Sequence, residues 1–162
     1  MLVGKLKTVR SFARGFTLIE LMVVVAIAAI LLSIGLPSFK NFVAGQRVKT
    51  AAADFFLSAV QARSEAIKRN AEFGLVAAAG GWQDGWSVKS ANATVSIQQP
   101  YKGLNMSSPN GFTEIVYLGT GRLKSQSDPP PSLQISDGSG SLVRCVSFEL
   151  SGMTKIKSGV CR

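Results

Sequence analysis

Three groups of residues in this chain of 162 residues carry chemistry that needs a partner. The first is a single carboxylate, Glu20, inside the apolar run from Gly15 to Pro37, GFTLIELMVVVAIAAILLSIGLP. An ionised acid at mid-bilayer costs on the order of 2.5–3.5 kcal/mol, and less near the interface, so something should neutralise it. The second is a pair of thiols, Cys145 and Cys161, close to the C-terminus. The third is a set of six basic side chains between Tyr117 and the end: Arg122, Lys124, Arg144, Lys155, Lys157 and Arg162. They stand against three acids, Asp128, Asp137 and Glu149. Such an excess suits contacts with phosphates, and equally a solvated surface.

The same inventory argues against an enzyme. There is no histidine for general acid–base work. No nucleophile elbow of the G-x-S-x-G type occurs, no phosphate-cradling G-x-x-x-x-G-K, and the nine acids are scattered rather than paired. Two cysteines without histidine do not complete a tetrahedral metal set, so neither a metal nor a cofactor is expected.

These groups must be positioned by a few elements. Phe16 to Leu36 is a run of 21 residues, about 31 Å as a helix at ~1.5 Å per residue, enough to cross a hydrocarbon core. After Pro37, where a kink is expected, the helical pattern resumes. Val48, Ala52, Phe55, Ala59, Ala62 and Ala66 repeat every three or four residues, with Phe56, Val60 and Ile67 on the adjoining stripe. This amphipathic helix runs to about Asn70 and should lay its apolar face on a sheet. Beyond it the texture changes to short strands: Phe73–Ala79, Trp86–Lys89, Thr94–Gln98, Thr113–Leu118, Ser132–Ile135, Leu142–Leu150 and Met153–Lys157. Turn-forming stretches separate them, and Asp137-Gly138-Ser139-Gly140 is the best hairpin turn. The fold class is therefore α+β, a long N-terminal helix packed on antiparallel β-sheet.

Gly15-Phe16-Thr17-Leu18-Ile19-Glu20, followed by the apolar run and Pro37, resembles the N-terminal signal of type IV pilins and type II secretion pseudopilins. The resemblance implies a leader at 1–15, a transmembrane and assembly helix at 16–37, its amphipathic continuation at 38–70, and a β-rich periplasmic region at 71–162. A prepilin peptidase would cut between Gly15 and Phe16, Phe16 would become N-methylated, and Glu20 would pair with an N-terminal amine during filament assembly. The leader is basic and acid-free (Lys5, Lys7, Arg10, Arg14), but Lys40, Arg47 and Lys49 follow the apolar run, so orientation rests on the resemblance. It places the C-terminal region in the periplasm, with the chain anchored once in the inner membrane and built into a pilus or pseudopilus among other pilins. In that compartment Cys145 and Cys161 can pair, closing a loop at a gain of about 3 kcal/mol.

Further stretches resemble the FimT/GspH group of minor pilins and pseudopilins: Trp82-Gln83-Asp84-Gly85-Trp86, Ile115-Val116-Tyr117 running into Gly119-Thr120-Gly121-Arg122, and Val146-Ser147-Phe148-Glu149-Leu150-Ser151-Gly152. The tryptophans are expected in the core. In DNA-binding members of that group a G-R-x-R motif near the C-terminus contacts phosphates. The corresponding stretch here is Gly152-Met153-Thr154-Lys155, so Met and Lys replace the two arginines. Lysine binds phosphate as a point charge without arginine's bidentate fork. The resemblance thus implies a structural subunit of a filament, with capture of duplex DNA through Lys155, Lys157, Arg162, Arg144, Arg122 and Lys124 as the alternative.

Overall fold

The computed structural model describes residues 15–125 and 129–161, without the side chains of 34–38. It divides into two compact units, Met1–Lys40 and Asn41–Arg162, and helix α1 (Leu18–Arg69) begins in the first and ends in the second.

In the first unit the helix is started by Thr17, whose hydroxyl accepts the Glu20 amide at 3.2 Å while its carbonyl accepts the Leu21 amide at 3.1 Å. This is an N-cap, with the acid in the first turn where the helix dipole favours negative charge. Every side chain described from Phe16 to Ser33 is exposed. Among the described residues no helix is long and apolar enough to cross a membrane. The described apolar stretch ends at Ser33, so completing the expected 16–37 span depends on residues whose side chains lie outside the description, as does the kink expected at Pro37. Leader residues 1–14 lie outside it too.

In the second unit the stripe expected from the periodicity is the one that packs. Val48, Ala51, Ala52, Phe55, Ala59, Ala62 and Ala66 are all buried. Five of these seven are alanines, so strands can approach the helix axis closely, and Phe55 fills the middle. The adjoining stripe differs from expectation: Phe56 is half-buried, but Val60 and Ile67 are exposed, because the sheets cover only the alanine side. The helix ends in a Schellman turn. Asn70 has φ 46°, Ala71 N–H reaches Ala66 carbonyl at 3.1 Å, and Asn70 N–H reaches Ile67 carbonyl at 3.3 Å.

Eight strands follow: β1 Phe73–Ala78, β2 Gly81–Lys89, β3 Thr94–Gln98, β4 Leu104–Ser107, β5 Glu114–Tyr117, β6 Ser132–Asp137, β7 Val143–Phe148 and β8 Thr154–Ser158. They form two four-stranded antiparallel sheets, ordered β3-β2-β1-β5 and β4-β6-β7-β8. The hairpin expected at Asp137–Gly140 joins β6 to β7. Two strand assignments are corrected. β4 was not legible because Leu-Asn-Met-Ser offers only two apolar residues, and Met106 becomes core only by pairing with Ile135 of β6. β2 starts at Gly81 rather than Trp86: Ala77 pairs with Trp86 but Ala78 with Gly81, so Trp82 to Gly85 bulge out of the ladder.

That bulge explains the W-x-x-G-W spacing. Gly85 has φ 101°, and a Cβ there would sit 2.3 Å from the Gln98 carbonyl oxygen, so only glycine fits. Both indoles are thereby delivered edge-on to Phe55, each with ring centroids 5.1 Å away. Their N–H groups donate to Phe112 carbonyl and Ser58 hydroxyl, both at 2.9 Å. Phe55 also meets Phe148 of β7 at 6.0 Å, so one side chain joins the helix to both sheets.

Candidate functional site

The basic residues singled out in the sequence lie on strands and loops that treat them differently. β8 pairs with β7, placing Lys155 opposite Ser147 and Lys157 opposite Cys145. Val146 and Phe148 face the core, so strand alternation puts both lysines on the opposite, outer face of the sheet. Lys155 is an ion-pair partner of Glu149 across the β7–β8 turn, and that ammonium, by hydrogen bond and by charge, holds the Glu149 carboxyl below its usual range. Lys157 is exposed and makes no ion pair among the described residues. Arg144 donates to the Ser158 hydroxyl on the other face.

Arg122 and Lys124 follow β5, at the edge of the other sheet. Lys124 is paired with Glu72 at 2.8 Å, and Arg122 is exposed. Leu123 N–H reaches the Leu150 carbonyl at 3.3 Å, so this loop adjoins the β7–β8 turn rather than standing apart from it. The structure therefore brings Arg122 near the turn while neutralising Lys124 and Lys155, and no converging cluster of free cations forms from these five. Arg162 lies outside the described residues. Cys145 and Cys161 form a disulfide with Cα atoms 5.2 Å apart, and Cys161 N–H donates to the Gln134 side chain at 3.3 Å. The C-terminal segment is thus tied across the outer face of β6 and β7.

The junction of the two loops contains a residue that the sequence did not single out. Arg63 of α1 donates from Nη2 to the Ser151 carbonyl at 3.3 Å, while its Nε is buried without a partner among the described residues. Beneath it two glycine backbones meet. A Cβ on Gly152 would be 1.9 Å from the Gly121 carbonyl oxygen, and both glycines have positive φ, 83° and 77°. Tyr117 is fully buried beside them, its hydroxyl 3.3 Å from Thr154. Burial pushes that hydroxyl's pKa up, partly offset by Thr154 and the Arg63 charge. On the far side of the helix Tyr101 stacks on Trp86 and donates to Asp54. Burial and then that carboxylate raise its pKa well above the ordinary tyrosine value. Arg63 and the Tyr101–Asp54 pair tie α1 to loops, and Tyr117 joins β5 to β8. None is aligned as a nucleophile and base.

A family model described as type II transport protein GspH matches residues 51–152, which reach from the helix stripe under Phe55 to the Gly152 turn. The chain belongs to the GspH family. A prokaryotic N-terminal methylation motif also matches residues 10–36, which include Gly15, Phe16 and Glu20. As a GspH-family chain it is 33% identical over 110 residues to prepilin peptidase-dependent protein D of Escherichia coli, covering 65% of this chain and 73% of that one. It is also 51% identical over 39 residues to the type IV major fimbrial protein FimA of Dichelobacter nodosus. That match covers 24% of this chain and spans only a quarter of the FimA length. In fold, the GspH-family chain is similar to the type IV minor pilin FimU of Pseudomonas aeruginosa: TM-score 0.59, 18% identity, 70% of this chain and 93% of that one. It is also similar to the minor pseudopilin EpsH from the type 2 secretion system of Vibrio cholerae: TM-score 0.54, 14% identity, 69% and 97%. The chain is a member of the type IV pilin and pseudopilin superfamily, with the α+β fold of its structural neighbours, a family of structural subunits.

Proposed function

We propose that this chain is a minor pilin or pseudopilin held in the inner membrane by the segment 16–37, with residues 71–162 in the periplasm. In this reading a prepilin peptidase removes residues 1–15, Phe16 is N-methylated, and Glu20 pairs with an N-terminal amine of a neighbouring subunit. The observation that carries it is the contrast along α1. From Phe16 to Ser33 the described helix is apolar on nearly all sides and uncovered, whereas from Val48 to Ala66 it buries one stripe. A helix apolar all round has to be covered by lipid or by other helices. Glu20 fits an assembly role because it is exposed in the first turn and makes no ion pair among the described residues, leaving its carboxylate available to an amine from outside the chain.

The alternative, capture of duplex DNA through the C-terminal basic residues, has less support. Lys155 and Lys124 already carry carboxylate partners, and Arg144 lies on the opposite face of the sheet from Lys157. Lys157 and Arg122 remain exposed for phosphate contact. Assembly is therefore the function that the geometry favours, with DNA contact confined, among the described C-terminal basic residues, to those two groups.

Processing tests the reading. Gly15→Leu should leave the chain uncleaved in cells that carry the peptidase, and intact-mass measurement should find the leader retained. A mature mass beginning at Phe16 in the variant would refute the assigned cleavage site.

A further inference from the structure

An apolar-lined concavity of the β-rich unit is formed where the start of its helix meets the β6–β7 turn and the C-terminal segment. It encloses about 290 Å³. Gly45 and Val48 of α1 form one side, Leu142 and Val143 another, and Ser158, Gly159 and Val160 the third, with Lys49, Ser141 and Arg144 completing it. The walls are built features of the fold. Gly45 has no side chain where a Cβ would come within 3.3 Å of Leu142 Cδ1. The Asp137 carboxylate fixes the opposite turn by accepting the Leu142 amide at 2.8 Å. Gly159 N–H bonds the Val143 carbonyl at 3.0 Å, and the Cys145–Cys161 disulfide anchors the chain just beyond Val160. Nevertheless Leu142 and Val160 are left 37% and 56% exposed. The two charged groups lining the cavity are both cationic, no acid lines it, and neither Lys49 nor Arg144 makes an ion pair among the described residues.

A concavity with apolar walls and two cations fits an apolar body that carries a carboxylate. It does not suit a duplex, whose phosphates are presented on a convex polar surface with no apolar group to bury. We infer that this cavity is a docking socket for an acidic segment, an Asp or Glu flanked by apolar residues, of another pilin-class subunit, an inference that rests on the assembly reading above. The carboxylate sits between Lys49 and Arg144, and the apolar neighbour covers Leu142 and Val160. Contacts of this kind, an apolar anchor beside a desolvated charge pair, concentrate binding energy in few residues. Because the socket lies in the globular unit, it selects which subunit sits alongside, a task that the apolar N-terminal helix cannot perform with its uniform surface.

A photoreactive residue placed at Val160 of the full-length chain, in cells producing the whole filament, tests the socket. Ile97 on β3, 70% exposed, is the control position. The chain's presence in the filament fraction is measured in the same cells. The expected result is a cross-link from Val160, and none from Ile97, to a pilin-class subunit, in a segment that mass spectrometry shows to contain an acid among apolar residues. Lys49→Glu should lower its yield by about tenfold, since it turns an attraction to the partner's carboxylate into a repulsion, and replacing the partner's acid with Lys should restore it. Cross-links to DNA, lipid, a second copy of this chain or an acid-free segment overturn the socket, as does a yield indifferent to Lys49→Glu. Absence of any Val160 cross-link from chains present in the filament fraction also overturns it and leaves the assembly reading standing. Processed chain missing from that fraction altogether defeats both.

Discussion

Lys155 reaches back across the β7–β8 turn to neutralise Glu149 in the same chain. This contact decides how the C-terminal basic segment behaves, because a lysine with a carboxylate already in hand offers little to a phosphate. It also makes the turn sensitive to acid. Glu149 is held below its usual range by Lys155, so the contribution of the pair is complete above the ordinary glutamate pKa and is lost as pH falls through the depressed folded value. Glu149→Gln should therefore lower Tm at about pH 7, and by progressively less as pH falls below the ordinary glutamate pKa of about 4.3 toward the depressed folded value. Thermal melts of both proteins across that interval check it. A constant difference would show that the pair adds nothing titratable.

The same contact separates the two lysines in any binding to duplex DNA. Lys157→Ala should reduce the salt slope by about one unit, and Lys155→Ala by clearly less, because Glu149 already balances that charge. Titration of the full chain in detergent with duplexes at several salt concentrations measures both slopes. Equal slopes for the two variants, or wild-type binding weaker than about 100 μM at low salt, would remove the role of these residues in DNA contact.

Gly152→Ala should be severely destabilising. Its φ of 83° and a Cβ 1.9 Å from the Gly121 carbonyl oxygen force the two loops apart and disturb Arg63 above them. Gly138→Ala is the comparison, since its Cβ would meet nothing nearer than 3.7 Å and its φ is ordinary. Chemical denaturation should show a loss of several kcal/mol, about 2–4, for Gly152→Ala and little change for Gly138→Ala. Equal stability of the two would contradict the close approach.

Phe55→Ala removes the ring that both indoles and Phe148 meet edge-on, and should cost about 3–5 kcal/mol. Tryptophan emission should shift red as water reaches Trp82 and Trp86. An unshifted spectrum with native stability would mean that the helix and sheets are held elsewhere.

Removing the Cys145–Cys161 link with a double Ser substitution should cost about 3 kcal/mol, the usual figure for a loop of this size. Hydrogen exchange should accelerate first at Gly159 and Cys161, whose amides bond to Val143 and Gln134. Uniform acceleration across both sheets would instead mark the bridge as a global determinant.

The N-terminal signal and the W-x-x-G-W stretch were legible only through their resemblance to a family, whereas the helix stripe from Val48 to Ala66 and the change to strands after Asn70 were legible from the residues alone. The latter two depend on local spacing: three or four residues for a helix face and two for a strand. β4 was not legible, because four residues with two apolar side chains become a strand only beside β6. Nor was the difference between the alanine stripe and the Val60–Ile67 stripe, since both are apolar and only the placement of the sheets chooses which is covered. The sequence also presented six C-terminal basic residues as one group. Tertiary structure divided them by bringing Glu149 to Lys155, Glu72 to Lys124 and Ser158 to Arg144. It made Arg63 a clamp over Gly121 and Gly152, residues 58 and 89 positions further along the chain. Composition determines how many charges a chain carries. Which of them stay free depends on contacts between residues distant in sequence, and those exist only once the strands have paired.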